Sequence, residues 1–290
     1  MTTQTSMFKT TVGQARYFAA YDAALALWPV PTEALDVPTS FGVTHINACG
    51  PTAAPPLVLL PGQAISSTMW YPNIQAFSQA HRVYALDILG DMGKSVRIRP
   101  FTAPADFGDW LVEVLDALKL ESVHVAGLSY GGFIAARLAL SAPQRVRKLV
   151  LMAPASLLPI RRRFFLRMLG MLAPAFILSA QAKQTLLLGV YTPSMAPAIR
   201  QMLTTTDFRY SMYLPPVYTD AELHSLAPPT LLLLGDKELI YDYAAALNRA
   251  RTFIPNLQTA LIPNAGHALN FDQPEIVNQY VLEFLKTHAE

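Results

Sequence analysis

The chain of 290 residues contains a single cysteine, Cys49. One thiol excludes an internal disulfide and any multi-cysteine zinc site, and it suits a reducing compartment. Charge is also scarce: 14% of residues are Asp, Glu, Lys or Arg, against 52% hydrophobic, and the net charge is +2. So weak a field gives no reason to expect nucleic acid or an anionic membrane as a partner. The longest basic run, Arg161-Arg162-Arg163, reads as a solvated or helix-anchoring face. No long uninterrupted apolar run exists. The most apolar window, FFLRMLGMLAPAFILSAQAKQTLLLG, is broken by Arg167, Pro174, Gln181 and Lys183. Its uncharged part falls short of the ~20 apolar residues that a spanning helix needs. The opening MTTQTSMFKTTVGQ is polar and has no apolar signal core. Zinc-ligand spacing is missing, and GDMGKS lacks the full G-x-x-x-x-G-K-S of a phosphate loop. The expectation is a cytoplasmic protein, monomer or homodimer, with no cofactor, no metal and no membrane span.

Short apolar runs alternate with longer amphipathic stretches. LVLL (57–60), VYALD (83–87), VHVAG (123–127), KLVLM (148–152), TLLLLG (230–235) and TALIP (259–263) are strand candidates. Near-continuous apolar runs of this kind suit strands covered on both faces. Between them, APADFGDWLVEVLDALKL places Trp110, Leu111, Val114, Leu115 and Leu118 on one helical stripe. The alternation implies an α/β fold, a mostly parallel sheet flanked by helices. TSFGVTHINACG (39–50) adds an edge strand or two, and residues 1–40 read as an N-terminal helical extension. Residues 155–229 break the rhythm. They are rich in Leu, Met, Phe, Ala and Pro, and the interval is too long for an ordinary crossover. The expected organisation is a core of 1–154 and 230–290 with a helical cap, 155–229, inserted in it.

At the end of one strand stands VHVAGLSYGGF, with Ser129 between Gly127 and Gly131. This is the G-x-S-x-G pattern of a nucleophile elbow. The glycines let strand and helix approach closely while the serine occupies a strained turn. The N–H of Tyr130 opens the following helix and points where negative charge would develop. A serine hydroxyl needs a base. Of the six histidines, only His267 sits in a loop just after a late strand, in TALIPNAGHALNFDQPE. The base in turn needs a carboxylate. GDKELIYD offers Asp236, Glu238 and Asp242, all preceding His267. Asp236 sits where it could cap the turn, Glu238 precedes the apolar pair Leu239-Ile240 that would draw it inward, and Asp242 reads as a helix N-cap.

Together these stretches resemble the α/β-hydrolase superfamily over about residues 42–288. LLPGQAISSTMW is similar to its oxyanion loop, LDILGDMGKS to its D-x-x-G-x-G-x-S loop, and NAGHALNFDQPE to its histidine loop. More narrowly, YDAALALWPVP, SSTMWYPNI, DILGDMGKS and GDKELIYD resemble bacterial carboxylesterases of the subgroup that includes enzymes cleaving arylpropionic esters. The resemblance implies an α/β-hydrolase fold and a Ser129–His267–Glu238 triad, with Asp236 as the rival acid because most members use aspartate. It also implies oxyanion donors at the N–H groups of Gln63 and Tyr130. Pro61-Gly62 stands where the superfamily normally reads His-Gly, so the residue that usually orders this loop is replaced. The implied activity is hydrolysis of small to medium apolar carboxylic esters through an acyl-enzyme, with Phe164, Phe165, Met168, Met171 and Phe176 as candidate pocket residues. Lactonase, amidase or carbon–carbon hydrolase chemistry on the same scaffold, or a non-catalytic ligand-binding role, are the alternatives.

Overall fold

The apolar runs of the sequence become the strands of one sheet. The computed structural model describes residues 8–164, 166, 194–203 and 213–286. Its strands are β1 (Thr32–Thr39), β2 (Gly42–Cys49), β3 (Pro56–Leu60), β4 (Arg82–Leu86), β5 (Val96–Arg97), β6 (Val123–Leu128), β7 (Val146–Met152), β8 (Thr230–Gly235) and β9 (Leu257–Ile262). They lie in the order β1-β2-β4-β3-β6-β7-β8-β9, with β5 paired to β2. The run from β4 to β9 is parallel, and β2 is antiparallel to β1, β4 and β5. Every residue of β6 and of β8 is buried, as their unbroken apolar sequences require. This is the α/β-hydrolase architecture expected from the sequence.

The described helices are α1 (Thr11–Leu25), α2 (Ile74–Ser78), α3 (Ala105–Ala117), α4 (Tyr130–Ser141), α5 (Pro197–Leu203), α6 (Asp220–His224), α7 (Tyr243–Phe253), α8 (Leu269–Asp272) and α9 (Pro274–Lys286). The stripe read from the sequence is the buried face of α3, with Trp110, Leu111, Val114 and Leu115 inside and Leu118 partly so. The Trp110 indole N–H donates to Thr44 Oγ1 in β2 at 2.8 Å, which satisfies the one polar atom that the buried ring carries.

The N-terminal region departs from expectation. Only Thr11–Leu25 is helical, and Thr32–Thr39 is the edge strand, paired with β2 from Thr32↔Cys49 to Thr39↔Gly42. The stretch expected at the edge, β2, lies inside the sheet between β1 and β4. The reason is physical: β1 is mostly exposed and carries Pro38, so it lacks apolar alternation and is held by its ladder. Helix α1 is bound down by a buried polar cluster. The Tyr21 hydroxyl donates to Asp87 Oδ2 at 3.0 Å, Asn47 Nδ2 donates to the Tyr21 hydroxyl at 2.6 Å, and Ser67 N–H donates to Asp87 Oδ1 at 2.8 Å. Burial and the Asp87 charge together push the Tyr21 phenol well above its usual range.

Within 155–229 the described residues hold α5 and α6 and no strand. Helix α5 packs against α1. Tyr71 ties the segment before α5 to the core, donating to Ser194 O at 3.1 Å and accepting from Ala196 N–H at 3.0 Å. Phe164 is buried. The other pocket candidates, Phe165, Met168, Met171 and Phe176, lie outside the described residues.

Candidate active site

Ser129 sits between β6 and α4 with φ 53° and ψ −113°, a backbone conformation that a side chain strongly disfavours. Holding it costs on the order of 1–3 kcal/mol and persists only where the surroundings enforce it. They do so here. Ser129 N–H donates to Met152 O, and Ala155 N–H donates to Ser129 O, both at 2.9 Å. The flanking glycines are dictated by contact: a Cβ on Gly127 would meet Gly131 O at 2.2 Å, and one on Gly131 would meet Leu60 O at 2.2 Å. The serine is thus forced up at the carboxyl end of the sheet and is only partly buried.

His267 follows β9 in a loop pinned to the end of β8, where Lys237 N–H donates to Ala265 O at 2.9 Å. Asp272 Oδ2 accepts the Gly266 N–H at 2.8 Å, so the chain is fixed beside the histidine. His267 Nε2 lies 2.8 Å from Ser129 Oγ, and its Nδ1 lies 2.7 Å from Glu238 Oε2. Both His267 and Glu238 are buried. Burial alone would raise the Glu238 carboxyl. The charge and hydrogen bond of His267, with the N–H groups of Ile240 and Leu239, outweigh it and hold the carboxyl below the usual range. The Tyr241 ring stands edge-on to the imidazole with centroids 6.4 Å apart.

The rival carboxylates are elsewhere. Asp236 Oδ1 is buried without a hydrogen-bond partner, and Asp242 caps α7 through Ala245 N–H at 3.0 Å while pairing with Arg161 at 2.7 Å. Contrary to expectation, Leu239 is exposed, so no apolar pair draws Glu238 inward. Its second oxygen is caught instead by the Ile240 N–H at 2.7 Å. The Ile240 carbonyl in turn accepts Arg161 N–H at 2.7 Å, which ties the acid loop to the chain leaving β7. The other described histidines are occupied differently. His45 pairs with Asp36, His81 and His124 form a buried edge-to-face pair at 5.8 Å, and His224 packs on Phe253. His288 lies outside the described residues.

The loop after β3 reaches the serine. A Cβ on Gly62 would lie 3.8 Å from Ser129 Cβ. Gly62 N–H donates to Met69 Sδ at 3.4 Å. Among the described residues, the N–H groups of Gln63 and Tyr130 donate to no protein acceptor. One residue beside this loop escaped the sequence reading. Asp91, buried, accepts the Ala64 N–H at 3.1 and 3.0 Å on its two oxygens and its neighbour Met92 N–H at 2.7 Å on Oδ1. Burial pushes its carboxyl up to about 7, helped by the nearby Asp87 charge and opposed by the two N–H donors. The available signal was length: between Gly90 and Ser95 this chain has one residue more than D-x-x-G-x-G-x-S.

Residues 57–280 match the model of the alpha/beta hydrolase family. The chain belongs to that family. This hydrolase is 39% identical over 280 residues to the uncharacterized carboxylesterase nap of Bacillus subtilis (strain 168), covering 94% of this chain and 93% of the relative. It is also 39% identical over 284 residues to carboxylesterase YbfK of the same strain, with 93% of each covered. Among solved structures, carboxylesterase CesB (YbfK) from Bacillus subtilis superposes with a TM-score of 0.88 at 37% identity, covering 95% of this chain and 99% of the other. Naproxen esterase (carboxylesterase NP) from Bacillus subtilis gives 0.88 and 37%, covering 96% and 99%. The narrower resemblance to bacterial carboxylesterases therefore holds, and this hydrolase is an ester hydrolase. Among its described residues, no group of three or more His, Cys, Asp or Glu side chains is placed to hold a metal ion, and no helix is long and apolar enough to cross a membrane.

Proposed function

We propose that this hydrolase cleaves small to medium apolar carboxylic esters with Ser129 as nucleophile, His267 as base and Glu238 as the acid that orients it. The observation that carries this reading is the unbroken chain Ser129 Oγ–His267 Nε2 at 2.8 Å and His267 Nδ1–Glu238 Oε2 at 2.7 Å. Ser129 Oγ attacks the ester carbonyl carbon as its proton passes to His267 Nε2. The carbonyl oxygen becomes an oxyanion, and the free N–H groups of Gln63 and Tyr130 receive it. Glu238, held ionised by its partners, supports the imidazolium that forms. The imidazolium gives its proton to the departing alkoxide, which leaves as the alcohol. Water then repeats the sequence on the acyl-serine, with His267 taking its proton, and the carboxylic acid is released. The interval 155–229 acts as the cap that supplies an apolar acyl pocket, and the carboxylesterase relatives support the choice of bond.

The test is hydrolysis of p-nitrophenyl esters from acetate to laurate by wild type and Ser129→Ala. Serine-dependent turnover with a chain-length optimum is expected. Wild-type rates from Ser129→Ala would overturn the nucleophile. Absence of turnover on every ester, from folded wild type, would overturn the ester assignment.

A further inference from the structure

Three consecutive N–H groups of the loop after β3 are treated differently. Gly62 N–H is bound to Met69 Sδ at 3.4 Å, Ala64 N–H is bound by both oxygens of Asp91 at 3.1 and 3.0 Å, and Gln63 N–H between them has no acceptor among the described residues. The outer two are pinned and the central one is left free. Ala64 also has φ 59°, in the left-handed region that an alanine enters only with strain. A buried N–H without an acceptor is costly, so the two Asp91 oxygens help to hold Ala64 in that conformation. Pro61 has no side-chain donor with which to order the loop itself.

We propose that Asp91 is a positioning residue for the oxyanion loop: by accepting the Ala64 N–H, it fixes the peptide plane beside Gln63 so that the Gln63 N–H faces the oxyanion formed when Ser129 attacks the ester carbonyl. The proposal rests on the reading of Ser129 and Gln63 given above. The Asp91 charge also helps, after burial, to raise the Tyr130 phenol. The groups facing Asp91 are therefore Asp87, Tyr130 and the N–H groups of Ala64 and Met92.

The experiment compares Asp91→Leu, Asp91→Asn and Ser129→Ala with wild type. Leucine keeps the branched shape at Cγ but is larger and cannot accept, so it leaves the Ala64 and Met92 N–H groups without their acceptor. Asparagine keeps one acceptor oxygen for the Ala64 N–H. Readouts are kcat and KM on p-nitrophenyl butyrate and inhibition by an alkyl trifluoromethyl ketone, which forms a tetrahedral adduct with the serine. Loss of one oxyanion donor costs roughly 10²–10³ in rate, so a misaligned one should cost about 10- to 100-fold. Expected for Asp91→Leu are that fall in kcat with KM within about twofold, and a matching loss of ketone affinity. Asp91→Asn should recover to within about fivefold of wild type. If Asp91→Leu fails to fold, Asp91→Ala takes its place under the same criteria. Wild-type kcat in the apolar variant, or equal large losses in the leucine and asparagine variants, overturns the proposal while an inactive Ser129→Ala leaves the site reading standing. A Ser129→Ala as active as wild type overturns both.

Discussion

Glu238 uses both oxygens: one lies 2.7 Å from His267 Nδ1 and the other accepts the Ile240 N–H at 2.7 Å. Two directions of hydrogen bonding leave the carboxylate one orientation, and the imidazole inherits it. Asp236, two residues earlier, makes no side-chain hydrogen bond through its buried Oδ1.

Glu238→Gln keeps the shape but loses the charge that stabilises the imidazolium. It should lower kcat by at least about 100-fold, whereas Asp236→Asn should stay within about threefold. Steady-state kinetics on one ester decide the matter, and the reverse ranking would move the acid to Asp236.

Gly131→Ala should be among the most damaging single-methyl changes in the chain. The added Cβ would fall 2.2 Å from Leu60 O and 2.5 Å from Pro61 O, both backbone atoms that cannot swing aside. A loss of about 3 kcal/mol or more is expected, at the upper end of overpacking costs. Urea unfolding of wild type and variant measures it, and a difference under about 1 kcal/mol would show that the elbow has slack the geometry does not reveal.

His124 should make the fold acid-sensitive. Burial, then the charges of His81, Lys148 and Arg147, lower its pKa to about 4. An unfolded histidine titrates near 6.5. Between those values the unfolded chain binds the extra proton, so the stability His124 contributes is full above about 6.5 and is lost as pH falls towards about 4. His124→Val should flatten the decline of Tm between pH 7 and pH 4.5. An unchanged decline would assign the acid sensitivity to other groups, such as His81 or Glu238.

The central part of the fold is legible through burial on both faces: strands β3, β6, β7 and β8 are almost wholly buried, and their unbroken apolar runs show it. Strand β9, at the far edge, is legible only through alternation, with Ala260 and Ile262 buried and Leu261 exposed. Strand β1, expected within a helical extension, carries no strand signal because its exposed edge imposes none. Ser129 was legible because two glycines record a steric demand in the sequence itself. Glu238 and Asp236 are not separable by their local sequence, since the contact that singles out the proposed acid is with a histidine 29 positions away. Asp91 left almost no local trace. What it grips is a backbone N–H in another loop, 27 positions earlier, and backbone groups are the same in every sequence.

The bond from Arg161 N–H to the Ile240 carbonyl, together with the Arg161–Asp242 ion pair, joins the start of the 155–229 interval to the loop that carries Glu238. A graft that exchanged this interval for that of a relative would therefore have its seam inside the catalytic apparatus if cut at the end of β7. Placing the junction after Arg161 keeps the clasp with the recipient scaffold, so that the proposed cap could be exchanged without disturbing the contacts that hold the Glu238 loop.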